Sequence, residues 1–378
     1  MKKAVIAGFA RSPFTLARKG LLATVRPDDM AAVVVRGLVE KAGINPSDVE
    51  DLLMGCAFPE GEQGLNIARL VVMLAGLPLS IGGATINRFC GSSMQSIHSA
   101  AGAIACGAGE VFVAAGVESM SRIPMAGFNP MPNPKFYEKS GLPDAYISMG
   151  ITAENVAKKY KISRETQEEF SAASQRKALK ARDSGNFKDE IIPIGNHIIE
   201  DGCIRPDTSM KGLAELEPAF DKKGVVTAGT SSPLTDGAAA VLVVSEQYAD
   251  EHNLPKLAYI KSFAISGCQP EIMGIGPVQA SKKALERAGL SIQDIDIIEL
   301  NEAFAAQSLA CMRDLEIDPA KVNLDGGAIA LGHPLGATGA RITGKAASLL
   351  KRERKKYALA TQCIGGGQGI ATVLEVAD

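Results

Sequence analysis

Four short segments hold the side chains best suited to covalent and proton-transfer chemistry. The first is Asn87-Arg88-Phe89-Cys90-Gly91-Ser92-Ser93-Met94. An apolar, strand-like Ala84-Thr85-Ile86 enters it. A helical pattern leaves it, with Met94, Ile97, Ala101 and Ile104 on one face. Cys90 therefore falls at a strand-to-helix turn, where free backbone N–H groups and the positive helix end favour thiolate over thiol. A structural thiol buried at a tight turn explains the same residues, and the motif alone leaves both readings open.

The second segment runs Asn323-Leu324-Asp325-Gly326-Gly327-Ala328-Ile329-Ala330-Leu331-Gly332-His333-Pro334-Leu335-Gly336. His333 is one of four histidines; His98, His197 and His252 lie in helical, loop and polar contexts. An imidazole takes and returns protons near neutrality. The third segment, Gln362-Cys363-Ile364-Gly365-Gly366-Gly367-Gln368-Gly369, follows the apolar Ala358-Leu359-Ala360-Thr361. A dinucleotide-binding loop fails on spacing, because the last glycine of G-x-G-x-x-G falls on Ile370. The glycines instead free backbone N–H groups beside Cys363, as an oxyanion site needs. The fourth, Asn301-Glu302-Ala303-Phe304, puts polar residues at the end of a buried strand. No His, Cys or Asp spacing has the form of a metal site.

The elements that must position these segments show as an internal repeat. Lys41 through Met54 recurs as Arg287 through Leu300, every pair 246 positions apart. The same offset aligns Ala57-Phe58 with Ala303-Phe304, and Val111 through Ala115 with Tyr357 through Thr361. Each copy reads as a helix ending at Ala-Gly, a turn, then an apolar strand; Gly43 and Gly289 suit a helix C-terminus. Two α/β halves are expected, roughly 1–120 and 254–378, as layered sheets covered by helices. The repeat sets the His333 turn where the first half has the Cys90 turn, which strengthens His333 as a base. The apolar runs Leu70–Leu74, Val111–Ala115 and Val241–Val244 are core strands or buried helix. Residues 121–232 have no counterpart and read as an inserted smaller domain, with helices from Thr152 to Tyr160 and from Arg164 to Asp183. Ser163 would cap the second and Gly185 would close it.

Bulk properties bound the remaining choices. A chain of 378 residues exceeds one usual core, and 46% hydrophobic with 22% charged residues is globular. A formal charge of -2 gives no general field for nucleic acid or an anionic membrane, and no apolar run reaches membrane-span length. The start, Met1 through Gly8, reads as a strand rather than a secretion signal, and Glu375 through Asp378 is not a peroxisomal address. Seven scattered cysteines then point to reduced thiols and the cytoplasm.

Taken in order, Asn-x-x-Cys-x-Ser, Asn-Glu-Ala-Phe, Gly-Gly-Ala-Ile-Ala-Leu-Gly-His-Pro and Cys-Ile-Gly-Gly-Gly-x-Gly resemble the thiolase family over essentially the whole chain. The resemblance implies a duplicated five-layered α/β/α/β/α fold with an inserted loop domain. Its halves would be 1–120 with 233–253, and 254–378; the insertion would be 121–232. It implies Cys90 as acyl-accepting nucleophile, His333 as its activator and Cys363 as acid/base at the acetyl α-carbon. Asn301 would hold a water that, with His333, stabilises an enolate oxygen. The N–H groups of Cys90 and Gly365 would form a second oxyanion hole. Arg205, Phe220, Ala228 and Ser232 match coenzyme A channel positions; Met149 and Phe304 match positions near the pantetheine end and acyl group. No tightly bound cofactor is implied, only coenzyme A as substrate. A homodimer or homotetramer is implied, with an enoyl-CoA hydratase/3-hydroxyacyl-CoA dehydrogenase as a partner of oxidative relatives. Gly229-Thr230-Ser231-Ser232 and Ser148 resemble degradative 3-ketoacyl-CoA thiolases more than biosynthetic acetoacetyl-CoA enzymes. Cys363 argues against a ketosynthase of the same fold, and four intact motifs argue against a non-catalytic lipid carrier.

Overall fold

The computed structural model describes residues 2–137 and 141–377. Met1, residues 138–140 and Asp378, which fall within the expected halves and insertion, lie outside the described residues. The chain begins with β1 (Ala4–Arg11), β2 (Thr15–Leu16), α1 (Pro27–Ala42), β3 (Asp51–Gly55), α2 (Ile67–Leu74), β4 (Gly82–Ile86), α3 (Ser92–Cys106) and β5 (Val111–Ser119). Three helices, α4 (Met149–Tyr160), α5 (Arg164–Asp183) and α6 (Met210–Ala214), precede β6 (Thr235–Ser245) and α7 (Glu246–Glu251). Then come β7 (Ala258–Gly267), α8 (Gly276–Ala288), β8 (Ile297–Leu300), α9 (Ala305–Asp314), α10 (Ala328–Leu331), α11 (Leu335–Arg352), β9 (Tyr357–Ile364) and β10 (Gln368–Val376).

Among the described residues the strands join in the order β4-β3-β5-β6-β1-β7-β10-β9-β8, with β2 beside β6. The order mirrors itself about the β1–β7 joint, a thin seam where Val5 pairs with Tyr259 and Ile6 with Ala258. β3 and β5 are parallel, as are β8 and β9. β6 and β10 run antiparallel to their neighbours on both sides. The 246-residue offset relates the first residues of β3 and β8, and of β5 and β9. It also relates the glycines closing α1 and α8, both at φ +67°. That left-handed conformation is open to glycine at no steric cost.

Alternation along the strands builds the layers. Val5, Val113 and Val244 meet Val35, Leu38 and Val71 of α1 and α2. Ile6, Ala114 and Val243 point the other way, onto Ile97 of α3 and Ile342 of α11, where Ala358 and Ile370 arrive from the second half. On the far side Leu359 and Val373 pack against Ala284 of α8 and Met312 of α9. The result is five layers, with α3 and α11 between two half-sheets. β5 and β6, covered on both faces, are buried throughout. Leu70–Leu74 lies in α2: Ile67, Ala68, Val71 and Val72 are buried while Met73 and Leu74 are exposed, which is helical rather than strand spacing.

The two central helices touch closely. A Cβ added to Gly339 of α11 would lie 2.3 Å from the Met94 backbone nitrogen of α3. Gly339→Ala must therefore push apart the helices that follow His333 and Cys90. Urea titration should show a loss of about 1–3 kcal/mol, the usual cost of overpacking. An unchanged midpoint would show the interface to be slack.

In the 121–232 stretch, α4 starts at Met149, ahead of the expected Thr152. The Ser163 hydroxyl accepts from the Thr166 N–H at the head of α5, and Gly185 follows its end at φ +75°. α4 packs Ala153 against Ala303 and Phe304, and Val156 against Ala310. This helix thereby walls the site described next.

Candidate active site

Cys90 lies just before Gly91, the N-cap of α3. The preceding Phe89 has φ +42°, an outlier for a bulky residue and the kind of backbone strain that clusters at ligand sites. Local side chains over-determine the turn. Asn87 Oδ1 accepts from the Phe89 N–H at 2.8 Å, and the Ser92 hydroxyl accepts from Arg88 N–H while donating to the Phe89 carbonyl. Two long-range ties add to these. The Gln362 side-chain amide donates to the Cys90 carbonyl, and Arg88 donates to Gln368 Oε1 at 2.9 Å. They bring the Cys90 turn against the β9–β10 segment that carries Cys363.

His333 sits ahead of α11 and is only 5% exposed. Its N–H donates to Thr235 Oγ1 at 3.1 Å. Its Nδ1 lies 2.6 Å from Thr338 Oγ1, and its Nε2 lies 3.4 Å from Asn301 Nδ2. Burial, then the Arg341 guanidinium, push its pKa down to about 3, so the ring rests neutral. Cys363 is buried near the end of β9. Burial holds its thiol far above the ordinary range, and negative charge on Cys90 would hold it higher still.

The ionisation of Cys90 departs from the sequence-based expectation. Backbone N–H groups of Gly365 and of Cys90 itself face the sulfur and favour the anion. Desolvation by the surrounding protein outweighs them, although Cys90 is only half-buried, and pushes the thiol up to about 11. The resting pair is thus neutral thiol and neutral imidazole, because desolvation penalises both charged forms. Iodoacetamide labelling of the Cys90 peptide, followed by mass spectrometry without substrate, should quicken about tenfold per pH unit toward pH 11. A plateau already reached at neutral pH would refute this.

Cys90, His333 and Cys363 share one cavity of about 180 Å³. Met149, Phe220, Ser232 and Phe304 line it too. The Phe220 and Phe304 rings meet edge-on at 5.9 Å. The N–H and hydroxyl of Ser232 both donate to the Ala303 carbonyl. Asn301 and Gly365 join the site through the contacts already described. Arg205 and Ala228 are not brought to the cavity: both are exposed, Arg205 tied by its N–H to Gln175 and Ala228 in a short 3-10 turn. Among the described residues no three His, Cys, Asp or Glu side chains gather as ion ligands.

Two contributors escaped the sequence reading. Glu118 is buried at the end of β5 and accepts from Ala57 N–H, Gly336 N–H and Gln63 Nε2 at 2.8–2.9 Å. It fastens the start of α11 to the first half. A carboxylate closing a continuous apolar strand was the available signal. Gln362 stood in the Cys363 segment, but its partner, the Cys90 carbonyl, lies 272 residues away.

Fold and cavity together define a duplicated α/β protein in which two thiols and an imidazole converge on one small apolar chamber. The family description "Thiolase, N-terminal domain" matches residues 4–247, and "Thiolase, C-terminal domain" matches residues 254–376. The chain belongs to the thiolase family. It is 47% identical, over 100% of both chains, to a protein named 3-ketoacyl-CoA thiolase from Bacillus subtilis (strain 168). It is also 47% identical to a protein of that name from Vibrio vulnificus (strain CMCP6), covering 99% of this chain and 100% of the relative. The crystal structure of the Bacillus anthracis acetyl-CoA acetyltransferase superposes with a TM-score of 0.91 at 39% identity, covering 100% of this chain and 99% of that one.

Proposed function

We propose that this chain is an acetyl-CoA C-acyltransferase, a 3-ketoacyl-CoA thiolase of fatty-acid β-oxidation that cleaves its substrate with coenzyme A. The observation that carries this reading is the convergence of Cys90, His333 and Cys363 on one chamber. Carbon–carbon cleavage needs a nucleophile for the 3-keto carbon and a separate acid for the departing enolate. Cys90 gives its proton to His333 Nε2 and attacks that carbon. The Cα–Cβ bond breaks, leaving the acyl group as a thioester on Cys90 and an enolate of acetyl-CoA. Cys363 protonates the enolate carbon. The resulting Cys363 thiolate takes the thiol proton of a second coenzyme A, whose sulfur accepts the acyl group from Cys90. His333 returns its proton to Cys90.

Oxyanions form at both steps, and stabilising them in a dry site lowers both barriers. The N–H groups of Gly365 and Cys90 serve one oxyanion. His333, with a water held by Asn301, serves the enolate oxygen. Phe220, Ser232, Met149 and Phe304 flank the thioester end of coenzyme A, and the exposed Arg205 and Ala228 meet its outer part. Coenzyme A is a substrate, and no tightly bound cofactor is required. The two halves and the 121–232 insertion act as separate domains within a cytoplasmic homodimer or homotetramer. A hydratase/dehydrogenase supplies the 3-ketoacyl-CoA. No helix among the described residues is long and apolar enough to cross a membrane.

The similarity to the Bacillus anthracis acetyl-CoA acetyltransferase favours a second reading, a biosynthetic enzyme acting on acetoacetyl-CoA. Purified protein should cleave a long-chain 3-ketoacyl-CoA with a higher kcat/KM than acetoacetyl-CoA. The reverse preference would select the biosynthetic reading, and cleavage of neither would reject both.

A further inference from the structure

We infer that Thr338 is a positioning residue that holds the resting proton of His333 on Nδ1 and so turns the Nε2 lone pair toward the thiol chamber. The inference rests on reading His333 as the base of the proposed reaction. It begins from a count of protons. The Thr338 hydroxyl has one, and its oxygen lies 3.0 Å from the Pro334 carbonyl, which only accepts. Placed there, that proton leaves Thr338 Oγ1 facing His333 Nδ1 at 2.6 Å with lone pairs alone. The Pro334 carbonyl also accepts from the Ala337 and Thr338 N–H groups; with the hydroxyl proton assigned to it as well, the short contact draws its proton from His333.

A neutral imidazole protonated on Nδ1 has a bare Nε2. Here Nε2 faces the Asn301 side-chain amide, a donor, at 3.4 Å. The short bonds thus run from Nδ1–H to Thr338 and from Thr338 to Pro334, and Nε2 is left without a proton of its own. Thr338 is fully buried in the first turn of α11, so water does not compete for its hydroxyl. The ring stays neutral at rest through burial and through Arg341, further along the same helix. With the other tautomer Nε2 would carry a proton, and His333 could not accept the one on Cys90.

The test uses the full chain with ¹⁵N-labelled histidine. In the wild-type protein at neutral pH, the ring-nitrogen NMR shifts of His333 should report Nδ1–H with bare Nε2. Resonances that report Nε2–H would overturn the inference, and this measurement needs no variant. Thr338→Val removes the acceptor at nearly constant shape. It should shift His333 toward Nε2–H and slow acylation of Cys90 by an acyl-CoA about 10²-fold, with KM little changed. Thr338→Ser keeps the hydroxyl and should restore both the tautomer and most of the rate. A Val variant with wild-type tautomer and rate would overturn the assignment, as would a Ser variant as impaired as Val. If the wild-type ring is Nδ1–H but His333→Ala keeps full turnover, the catalytic reading fails while the tautomer assignment stands.

Discussion

Cys90→Ala should form no acyl-enzyme and should lose thiolytic turnover on the order of 10⁶-fold, the scale at which removing a covalent nucleophile acts. Intact-mass spectrometry gives the direct readout. Incubated with an acyl-CoA, the wild-type chain gains one acyl group, and digestion places it on Cys90. The variant gains none. Six other cysteines serve as internal controls, since Cys56, Cys203, Cys311 and Cys363 are buried, Cys268 is half-buried and Cys106 is exposed. The expectation does not depend on a pre-formed thiolate. With its thiol near 11, Cys90 rests protonated, and in the proposed mechanism its reactivity comes from proton transfer to His333 once substrate occupies the chamber. A variant that keeps more than about a hundredth of wild-type turnover would require another nucleophile, because acid–base catalysis alone accounts for smaller effects.

Cys363→Ala should separate two activities. The variant keeps Cys90, His333 and the N–H groups at the Cys90 sulfur, so acyl transfer from an acyl-CoA to Cys90 continues. On the proposed mechanism it lacks the group that protonates the enolate, so carbon–carbon cleavage should fall about 10²–10⁴-fold. The raised pKa of Cys363 suits this division. Its thiol stays protonated at neutral pH until an enolate carbon, a strong base, demands the proton. The thiolate left behind is then basic enough to deprotonate coenzyme A. Exchange of the acetyl-CoA methyl hydrogens with deuterated water, followed by NMR, isolates the same step and should be lost in the variant. Equal loss of acylation and cleavage would show that the two thiols do not divide the work.

The four reactive segments were legible because their information is local. A strand running into a helix puts a residue at the helix N-terminus whatever the rest of the chain does, and Cys90 is found there. The repeat was legible because duplication preserves spacing: Gly43 and Gly289 end their helices at the same φ. Leu70–Leu74 was ambiguous because a short apolar run satisfies either period, and it is the packing of Val71 and Val72 on α1 that makes it helical.

The sequence by itself determined which groups were present, in what order, and on which kind of turn each stood. Only the tertiary structure decided which of them meet. Gln362 reaches the Cys90 carbonyl across 272 residues, and Glu118 reaches Gly336 across 218. Arg205 and Ala228, matched by motif, stand outside the chamber. The structure also decided the protonation states. A helix N-terminus acts through a few nearby dipoles, but desolvation sums over every atom packed around the sulfur. Desolvation by the atoms packed around the head of α3 therefore outweighed the local field and left Cys90 a thiol.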